Sequence, residues 1–466
     1  MESSQSITED AVIPIPLREA VWTWSRVALL SFGGPAGQIA VMHRILVDEK
    51  KWISEERFLH ALNYCMLLPG PEAQQLATYI GWLLHRTRGG LIAGLLFILP
   101  GFVSILGLSI LYAHFQQTTI VQAIFFGLKP AVLAIVLQAV LRISKRVLKN
   151  RTMIALACSS FVAIHFFNIP FPLLIVTAGA IGFVGGRLAP ERFVVIKGHG
   201  PAKPTNTAEP TSGEILVTER LLYSVKPTMK RSITILTIFL TLWFVPLFIL
   251  AFFLGNASVF VQQGYFFSNA AVVTFGGAYS VLGYVAQQAV DRYGWLRPGE
   301  MLDGLGMAET TPGPLILVVQ FVGFLGAYRD PGPFTPLVAG VIGSVITTWV
   351  TFVPCFLWIF LGAPYIERMR ENQLFSAALS AITASVVGVI LNLAVWFSLH
   401  TLFGVVSTVS FGPLRILAPE IQTISLASLS ITIVALSLTF YFRKGVVISL
   451  TVSATMGVCF YMLGYA

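Results

Sequence analysis

The chain has 466 residues, of which 56% are hydrophobic and 11% charged, and its mean hydropathy is +0.79. Soluble domains carry roughly a quarter charged residues, so this composition excludes a soluble protein and favours a polytopic membrane protein. The net charge of +9 arises from basic residues that lie between apolar windows. No basic face for nucleic acid is therefore predicted. The four scattered cysteines form neither a zinc spacing nor a disulfide framework.

Apolar windows that approach the roughly 20 residues needed to cross a bilayer recur along the whole chain. They predict an all-α polytopic membrane protein with about thirteen transmembrane helices. The predicted spans are 20–46, 57–85, 90–114, 119–141, 152–167, 170–187, 232–254, 263–290, 300–327, 334–362, 374–399, 421–441 and 445–465.

One extended polar stretch, rich in Gly and Pro, divides the chain into two halves and has the composition of a flexible linker. The predicted organisation has four parts. They are a cytoplasmic N-terminal tail (1–18), an N-terminal repeat (19–187), a cytoplasmic linker (188–231) and a C-terminal repeat with extra leading and trailing helices (232–466).

Basic residues predict the orientation, because Lys and Arg accumulate in cytoplasmic loops. If the spans alternate, most basic loops fall on the side of the N-terminus, so a cytoplasmic N-terminus is predicted. The same alternation places one basic cluster outside, although neighbouring acidic residues neutralise it. The cluster consists of Arg44, Lys50, Lys51 and Arg57.

The two halves repeat each other. An offset of 243 positions carries Phe32-Gly-Gly onto Phe275-Gly-Gly, Trp52 onto Trp295, and the Pro-Gly-Pro at Pro69 onto the one at Pro312. After an insertion, an offset of 254 aligns Pro100 with Pro354 and 127–132 with 381–386.

Seven predicted crossings separate the starts of the two units, and an odd number makes them inverted-topology repeats. Such repeats are the architecture of alternating access, with substrate near the midplane. The parity requires 152–187 to cross twice, and a single crossing would make the repeats parallel.

Substrate binding is expected where Gly and Pro interrupt the helices of each repeat, since backbone N–H groups lose their helical partners there. Half-helix N-termini placed twice in opposite orientation suit a dianion such as chromate or sulfate. In the alternative interpretation these residues only permit kinks and close packing. The candidate substrate-binding residues are Ser31, Phe32, Gly33, Gly34, Gln38, Pro69, Gly70, Pro71, Gln74, Gln75, Lys129, Thr274, Phe275, Gly276, Gly277, Thr310, Thr311, Pro312, Gly313 and Pro314.

Carboxylates inside a membrane are costly, so Glu72 and Glu309 are candidates for carrying a coupling proton. The alternative is a hydrogen-bonded carboxyl that locks two helices together. Lys129 is a candidate to attract the anion directly, or else it pairs with a carboxylate. Arg26 and Arg44 are candidates for attracting the anion, with interfacial anchoring as the alternative.

Several of these motifs closely resemble the long, two-domain form of the chromate ion transporter family, from about residue 18 to residue 396. The resemblance implies a permease of the bacterial plasma membrane that exports chromate, a sulfate look-alike, and confers chromate resistance. The motifs are Phe32-Gly-Gly-Pro35, Leu68-Pro-Gly-Pro-Glu72, Gly127-Leu-Lys-Pro130, Thr274-Phe-Gly-Gly-Ala-Tyr279 and Thr311-Pro-Gly-Pro314.

Other classes fit less well. The histidines form no metal-binding spacing and no nucleophile elbow is present, so an enzyme, a metal site and a cofactor are not predicted. The sequence contains no phosphate-binding loop of the type Gly-x-x-x-x-Gly-Lys-Ser/Thr, so transport driven directly by ATP is not predicted. An oxyanion channel, or a permease for sulfate or another oxyanion working in uptake, remains an alternative. The expected partners are the oxyanion and the lipid bilayer, and a homodimer is compatible with this architecture.

Overall fold

The computed structural model describes residues 15–193, 228–365 and 373–465. Most of the predicted N-terminal tail and of the linker lies outside these residues. Apart from one small hairpin, the regular structure in the described part is helical. One large cluster of buried apolar side chains runs through both halves.

The described part of the first half, residues 15–193, contains eight helices, and the second of them continues into a π-helical turn, Arg44–Glu49. They are α1 (Leu17–Leu30), α2 (Gly34–His43), α3 (Glu55–Cys65), α4 (Glu72–Phe115), α5 (Thr119–Val147), α6 (Arg151–Phe167), α7 (Phe171–Leu188) and α8 (Pro190–Phe193).

The described part of the second half contains nine helices, with π-helical turns at Gln288–Arg292 and Ser437–Tyr441 and 3₁₀ turns at Leu315–Leu317, Ala363–Tyr365 and Ile421–Thr423. The helices are α9 (Met229–Leu254), α10 (Val259–Val273), α11 (Ala278–Gln287), α12 (Glu300–Thr310), α13 (Val318–Arg329), α14 (Pro336–Gly362), α15 (Gln373–Leu402), α16 (Leu426–Leu436) and α17 (Val446–Met462).

A β-hairpin, which was not predicted, connects α15 to α16. Strands β1 (Val406–Phe411) and β2 (Leu414–Pro419) pair antiparallel from Val406 opposite Pro419 to Phe411 opposite Leu414. Gly412 occupies the tight turn with a φ of 61°, a value that glycine adopts without strain.

Every predicted span coincides with helical structure, and 152–187 forms two helices, α6 and α7. Six helices in the described ranges are long and apolar enough to cross a membrane: Glu72–Phe115, Thr119–Val147, Phe171–Leu188, Met229–Leu254, Pro336–Tyr365 and Gln373–Leu402. Shorter apolar helices are Arg151–Phe167, Leu315–Arg329, Leu426–Tyr441 and Val446–Met462. The chain therefore has the architecture of an α-helical, multi-pass membrane protein.

Helix α4 is a hairpin of two arms. His85 and Arg86 leave helical geometry, and Arg86 has a φ of 54°. A Cβ on Gly81 would lie 2.5 Å from the carbonyl oxygen of Gly89, so the arms 72–84 and 87–115 pack backbone against backbone. Small residues permit this close helix approach.

The first broken segment, α1 with α2, folds back on itself. Glu19 near the start of α1 pairs with Lys50 after α2 at 2.8 Å, and Arg26 pairs with Glu49 at 2.7 Å. A continuous helix from residue 19 to residue 50 would hold these ends more than 40 Å apart at about 1.5 Å per residue. The prediction of one crossing over 20–46 therefore differs from the structure.

The other three broken segments also fold back. Tyr64 of α3 contacts Tyr79 of the first arm of α4, with ring centroids 5.1 Å apart. Phe266 of α10 lies 5.5 Å from the ring of Tyr293, beyond α11. In the fourth segment, two hydrogen bonds of 2.6 and 2.8 Å join Glu300 at the start of α12 to Arg329 at the end of α13. Hydropathy could not separate a crossing from a return, because both are apolar over similar lengths.

The two pairs of folded-back segments enter from opposite ends of the second arm of α4. At its start, His85 contacts the carbonyl oxygen of Ile15 just before α1, at 2.7 Å. At its far end, Tyr112 donates a hydrogen bond of 2.8 Å to Asp303 of α12. The first pair thus has its open ends at one end of this arm, and the fourth segment has its open end at the other.

Helices α6 and α7 of the first half pack on α15 of the second half, and α17 of the second half packs on α5 of the first. A Cβ on Gly182 of α7 would lie 2.6 Å from Ala381 of α15, and one on Gly388 of α15 would lie 2.1 Å from the backbone of α6. In the same way Gly127 of α5 meets Gly457 of α17. The two halves are therefore interlocked.

The fold-back of the first two segments predicts that Lys51 and Arg88 lie on one side of the membrane and Thr118 on the other. Single cysteines at these exposed positions, in a background lacking the exposed Cys158 and Cys459, should react with an impermeant thiol reagent accordingly. Labelling of Lys51→Cys together with Thr118→Cys, and not with Arg88→Cys, would support continuous crossings instead.

Candidate functional site

The four chain breaks meet at the centre of the protein through two matching hydrogen bonds. The backbone N–H of Gly70 donates to the carbonyl oxygen of Thr274 at 2.7 Å, and that of Gly313 donates to Ser31 at 3.0 Å. The 243-position offset carries Gly70 onto Gly313 and Ser31 onto Thr274. Each repeat therefore makes the same bond to the other, as expected for a two-fold relation.

Close packing behind the Pro-Gly-Pro breaks shows the same two-fold relation between the repeats. A Cβ on Gly70 would lie 2.8 Å from Sγ of Cys355 on α14, and one on Gly313 would lie 3.1 Å from Cα of Gly101 on α4. Gly101 and Cys355 are equivalent under the 254-position offset. Both offsets thus describe one arrangement of the two repeats in space.

Four helical segments begin at these breaks. Helix α2 begins at Gly34, α4 at Glu72, α11 at Ala278, and the helical turn leading into α13 at Leu315. The first N–H groups of a helix have no partner within it and carry a partial positive charge. The centre is therefore surrounded by backbone groups suited to an anion.

Two carboxyl groups lie against these N-termini, each opposite the other repeat. Glu309 is 1% exposed, and one of its oxygens would lie 3.6 Å from a Cβ on Gly34. Tyr279 donates a hydrogen bond to it. Glu72 is partly buried, with Oε1 at 3.8 Å from the same position on Gly277. Gly34 and Gly277 are the equivalent second glycines of the Phe-Gly-Gly motifs.

Comparison with known proteins assigns the family. A family profile described as Chromate transporter matches residues 18–183 and 261–458. The two matches begin 243 positions apart, which is the offset of the internal repeat. The chain belongs to the chromate transporter family.

Relatives in the chromate transporter family resemble it over most of their length. The Chromate transport protein of Pseudomonas aeruginosa is 31% identical over 396 residues, covering 84% of this chain and 83% of that protein. The Chromate transport protein of Cupriavidus metallidurans is 27% identical over 375 residues, covering 80% of each. The Probable chromate transport protein of Synechococcus elongatus is 26% identical over 421 residues, covering 89% and 94%. No solved structure matches the chain.

The structure gives the predicted glutamines a supporting position in this member of the chromate transporter family. Gln38 Nε2 donates to the carbonyl oxygen of Gly313 at 2.6 Å, so it joins the first break to the fourth. Gln75 Nε2 donates to Pro69 O at 2.8 Å, and Gln74 Nε2 to Thr78 at 3.0 Å. The three side-chain oxygens are buried and make no hydrogen bond to any described residue. Gln38 and Gln75 therefore bond the backbone of the Pro-Gly-Pro breaks, whereas Gln74 bonds within α4.

The predicted hydroxyl ligands bond to their own helices. Ser31 donates to Val27 O at 2.7 Å, and its equivalent Thr274 donates to Ala270 O at 2.6 Å. Thr310 donates one turn back in α12 and lines an open cavity of about 330 Å³ between α5 and α17. These hydroxyls therefore donate their hydrogen bonds to backbone carbonyl oxygens near the ends of their own helices.

Lys129 lies away from the breaks, against a carboxylate. Its Nζ is 3.6 Å from Oδ1 of Asp303, whose other oxygen accepts the hydrogen bond from Tyr112. Of the two interpretations of Lys129, pairing with a carboxylate is the one observed. Arg26 and Arg44 also lie outside the centre and share Glu49, at 2.7 and 3.6 Å.

Two arginines within electrostatic range of the two glutamates were not predicted as site residues. Arg142 and Arg146, one turn apart at the end of α5, are exposed. The charge of Arg142 acts on Glu309 and that of Arg146 on Glu72. In the sequence the two arginines belong to a basic stretch that indicates only topology. Their spacing of four residues, which places both on one face of a helix, was the one signal that they act together.

The close packing at Gly313 predicts a cost for any side chain there. Gly313→Ala should lower the stability of the folded protein by about 1–3 kcal/mol, because its φ is 98° and the new Cβ would press on Gly101. Gly107→Ala is the matched control, since Gly107 lies in the same arm of α4 with nothing within 4 Å of its Cβ position. Thermal unfolding in detergent measures both, and equal midpoints would contradict the packing argument.

Proposed function

We propose that this chain is a secondary transporter that carries chromate across the plasma membrane and binds it among the four chain breaks. The observation that carries the proposal is the convergence of four helix N-termini from two repeats on one point. A tetrahedral dianion presents four acceptor oxygens, and preorganised N–H groups can bind them without a metal or cofactor. The names of the relatives in the chromate transporter family support chromate as the substrate.

Inverted repeats are the second part of the proposal. The reciprocal bonds at Gly70 and Gly313 support a two-fold relation, and the opposite entry of the folded-back segments supports an axis within the membrane plane. With those four segments as re-entrant hairpins, nine helical stretches cross: the second arm of α4, α5, α6, α7, α9, α14, α15, α16 and α17. Five of them separate the starts of the repeats, which is still an odd number.

Re-entrant hairpins also remove the conflict in the charge pattern. The fold-back of the first segment carries Arg44, Lys50 and Lys51 to the end of the molecule where Arg86 and Arg88 lie. Basic residues then concentrate on the side of the N-terminus, which supports a cytoplasmic N-terminus. In this topology Arg292 and Arg297 are assigned to the opposite side, together with Arg329 and Arg415. That side then carries fewer basic residues than the side of the N-terminus.

We assign proton coupling to Glu309, with Glu72 as the second candidate. Glu309 lies beside the N-terminus of α2, so a charged carboxylate competes with an anion for the same N–H groups. A protonated carboxyl admits the anion, and loss of the proton favours its release. The proton leaves on the same side as the anion, so both cross in the same direction, and export and chromate resistance follow if release occurs outside.

Flux of radiolabelled chromate into proteoliposomes tests the function. Saturable uptake, competition by sulfate and stimulation by a proton gradient are expected for the intact protein. In Glu309→Gln the stimulation should vanish, because the amide cannot exchange a proton. Glu56→Gln, at an exposed carboxyl outside the centre, should behave as the intact protein.

The alternatives give different results in the same experiment. Unlabelled anion on the far side of the membrane would not accelerate labelled flux through a channel, whereas it accelerates labelled flux through a carrier. Faster flux of sulfate than of chromate would assign a sulfate permease. Flux of neither anion above that of empty liposomes would refute an oxyanion transporter.

A further inference from the structure

Helix α11 packs along α15 over its whole length. At the central end, a Cβ on Gly276 would lie 3.1 Å from Val386 of α15. Further along α11, a Cβ on Gly283 would lie 3.2 Å from Leu393. The two helices are therefore in close contact at both points. This contact separates the central breaks from the end of the molecule where the β-hairpin lies.

Polar side chains close the outer end of this contact. Gln287 donates a hydrogen bond of 2.6 Å to Asn168, and His165 contacts Asn392 at 2.8 Å. Asp291 lies within electrostatic range of His400 at the end of α15 and of a hairpin arginine. The enclosed cavity has only about 70 Å³.

The equivalent surfaces of the first repeat are apart. The repeat offsets carry α11 onto α2, α15 onto α5, Asp291 onto Asp48 and His400 onto Arg146. A Cβ on Gly33, the equivalent of Gly276, would have nothing within 4 Å. Asp48 instead contacts His43 at 3.4 Å, and Arg146 contacts the sulfur of Met66 at 3.0 Å.

One face of α2 is exposed where its equivalent on α11 meets α15. The face repeats every four residues, begins at the central break with Phe32, which is 39% exposed, and ends at two charged residues. Its two alanines are small enough for a helix to approach closely. The exposed face consists of Phe32, Ala36, Ala40, Arg44 and Asp48.

We infer that in a second state α2 closes onto α5, with Asp48 meeting Arg146, while α11 separates from α15. The structure described here is then closed on the hairpin side and open along α2. Because the repeats share one sequence pattern, exchanging their packing converts one state into the other. This inference rests on the proposed function, since only a carrier needs both states.

Cross-linking with a short bifunctional thiol reagent, which spans the length of a Gln–Asn or Asp–Arg pair, tests the exchange without measuring chromate. In a background lacking Cys158 and Cys459, Gln287→Cys with Asn168→Cys should cross-link at once, because the native side chains are hydrogen-bonded at 2.6 Å. Asp48→Cys with Arg146→Cys should cross-link slowly and at least about fivefold faster when a proton gradient and chromate drive turnover. Glu56→Cys with Arg146→Cys is the control and should not respond to turnover.

Accessibility of α2 gives a second readout. Ala40→Cys should react with an impermeant thiol reagent when the Gln287–Asn168 pair is cross-linked, and should be shielded when the Asp48–Arg146 pair is. A charge exchange avoids cysteines altogether. Asp48→Arg and Arg146→Asp should each slow transport by up to about fivefold, the scale of one exposed ion pair, and the double variant should recover.

The outcomes separate the two proposals. If both pairs cross-link, even slowly, and Ala40→Cys is exposed and shielded as expected while neither anion moves, the exchange stands and the substrate assignment fails. If chromate moves but Asp48 and Arg146 never cross-link during turnover, and the double charge variant does not recover, the exchange is refuted and the transporter stands.

Discussion

Everything at the centre of this protein depends on two backbone hydrogen bonds, from Gly70 to Thr274 and from Gly313 to Ser31. Each broken helix leaves N–H and C=O groups that would be costly in a bilayer without a partner. Here the tip of a hairpin from one repeat satisfies the tip of a hairpin from the other. Each repeat therefore supplies a hydrogen-bond partner for a break of the other repeat.

This dependence explains why polar side chains have secondary roles there. Gln38 and Gln75 hold carbonyl groups of the Pro-Gly-Pro turns, and Ser31 and Thr274 bond within their own helices. The two glutamates are different, because each lies against a glycine of the opposite repeat. A backbone site has nearly fixed charge, so protonation of a carboxyl beside it is the simplest way to change its affinity for an anion.

The sequence was sufficient to predict the helical segments, both offsets of the repeat and the four breaks, because each depends on local Gly, Pro and apolar patterns. It was not sufficient to predict that the broken segments return. Pairs such as Glu19 with Lys50 join residues 31 positions apart. A hydropathy pattern does not show whether an apolar segment crosses the membrane or turns back. The same limit applied to Lys129, whose partner Asp303 lies in the other half of the chain. The β-hairpin was missed because its short strands lie in a region interpreted only as a connection.

The interlocked packing has a consequence for synthesis in the membrane. Helix α5 must wait for α17 to be made, about 300 residues later, before Gly127 can meet Gly457. Helices α6 and α7 likewise wait for α15. The faces of these helices that later pack on the second half therefore lack their protein partners while the first half is inserted. Translation of the final two helices, rather than insertion of the first, is then the step that completes the fold.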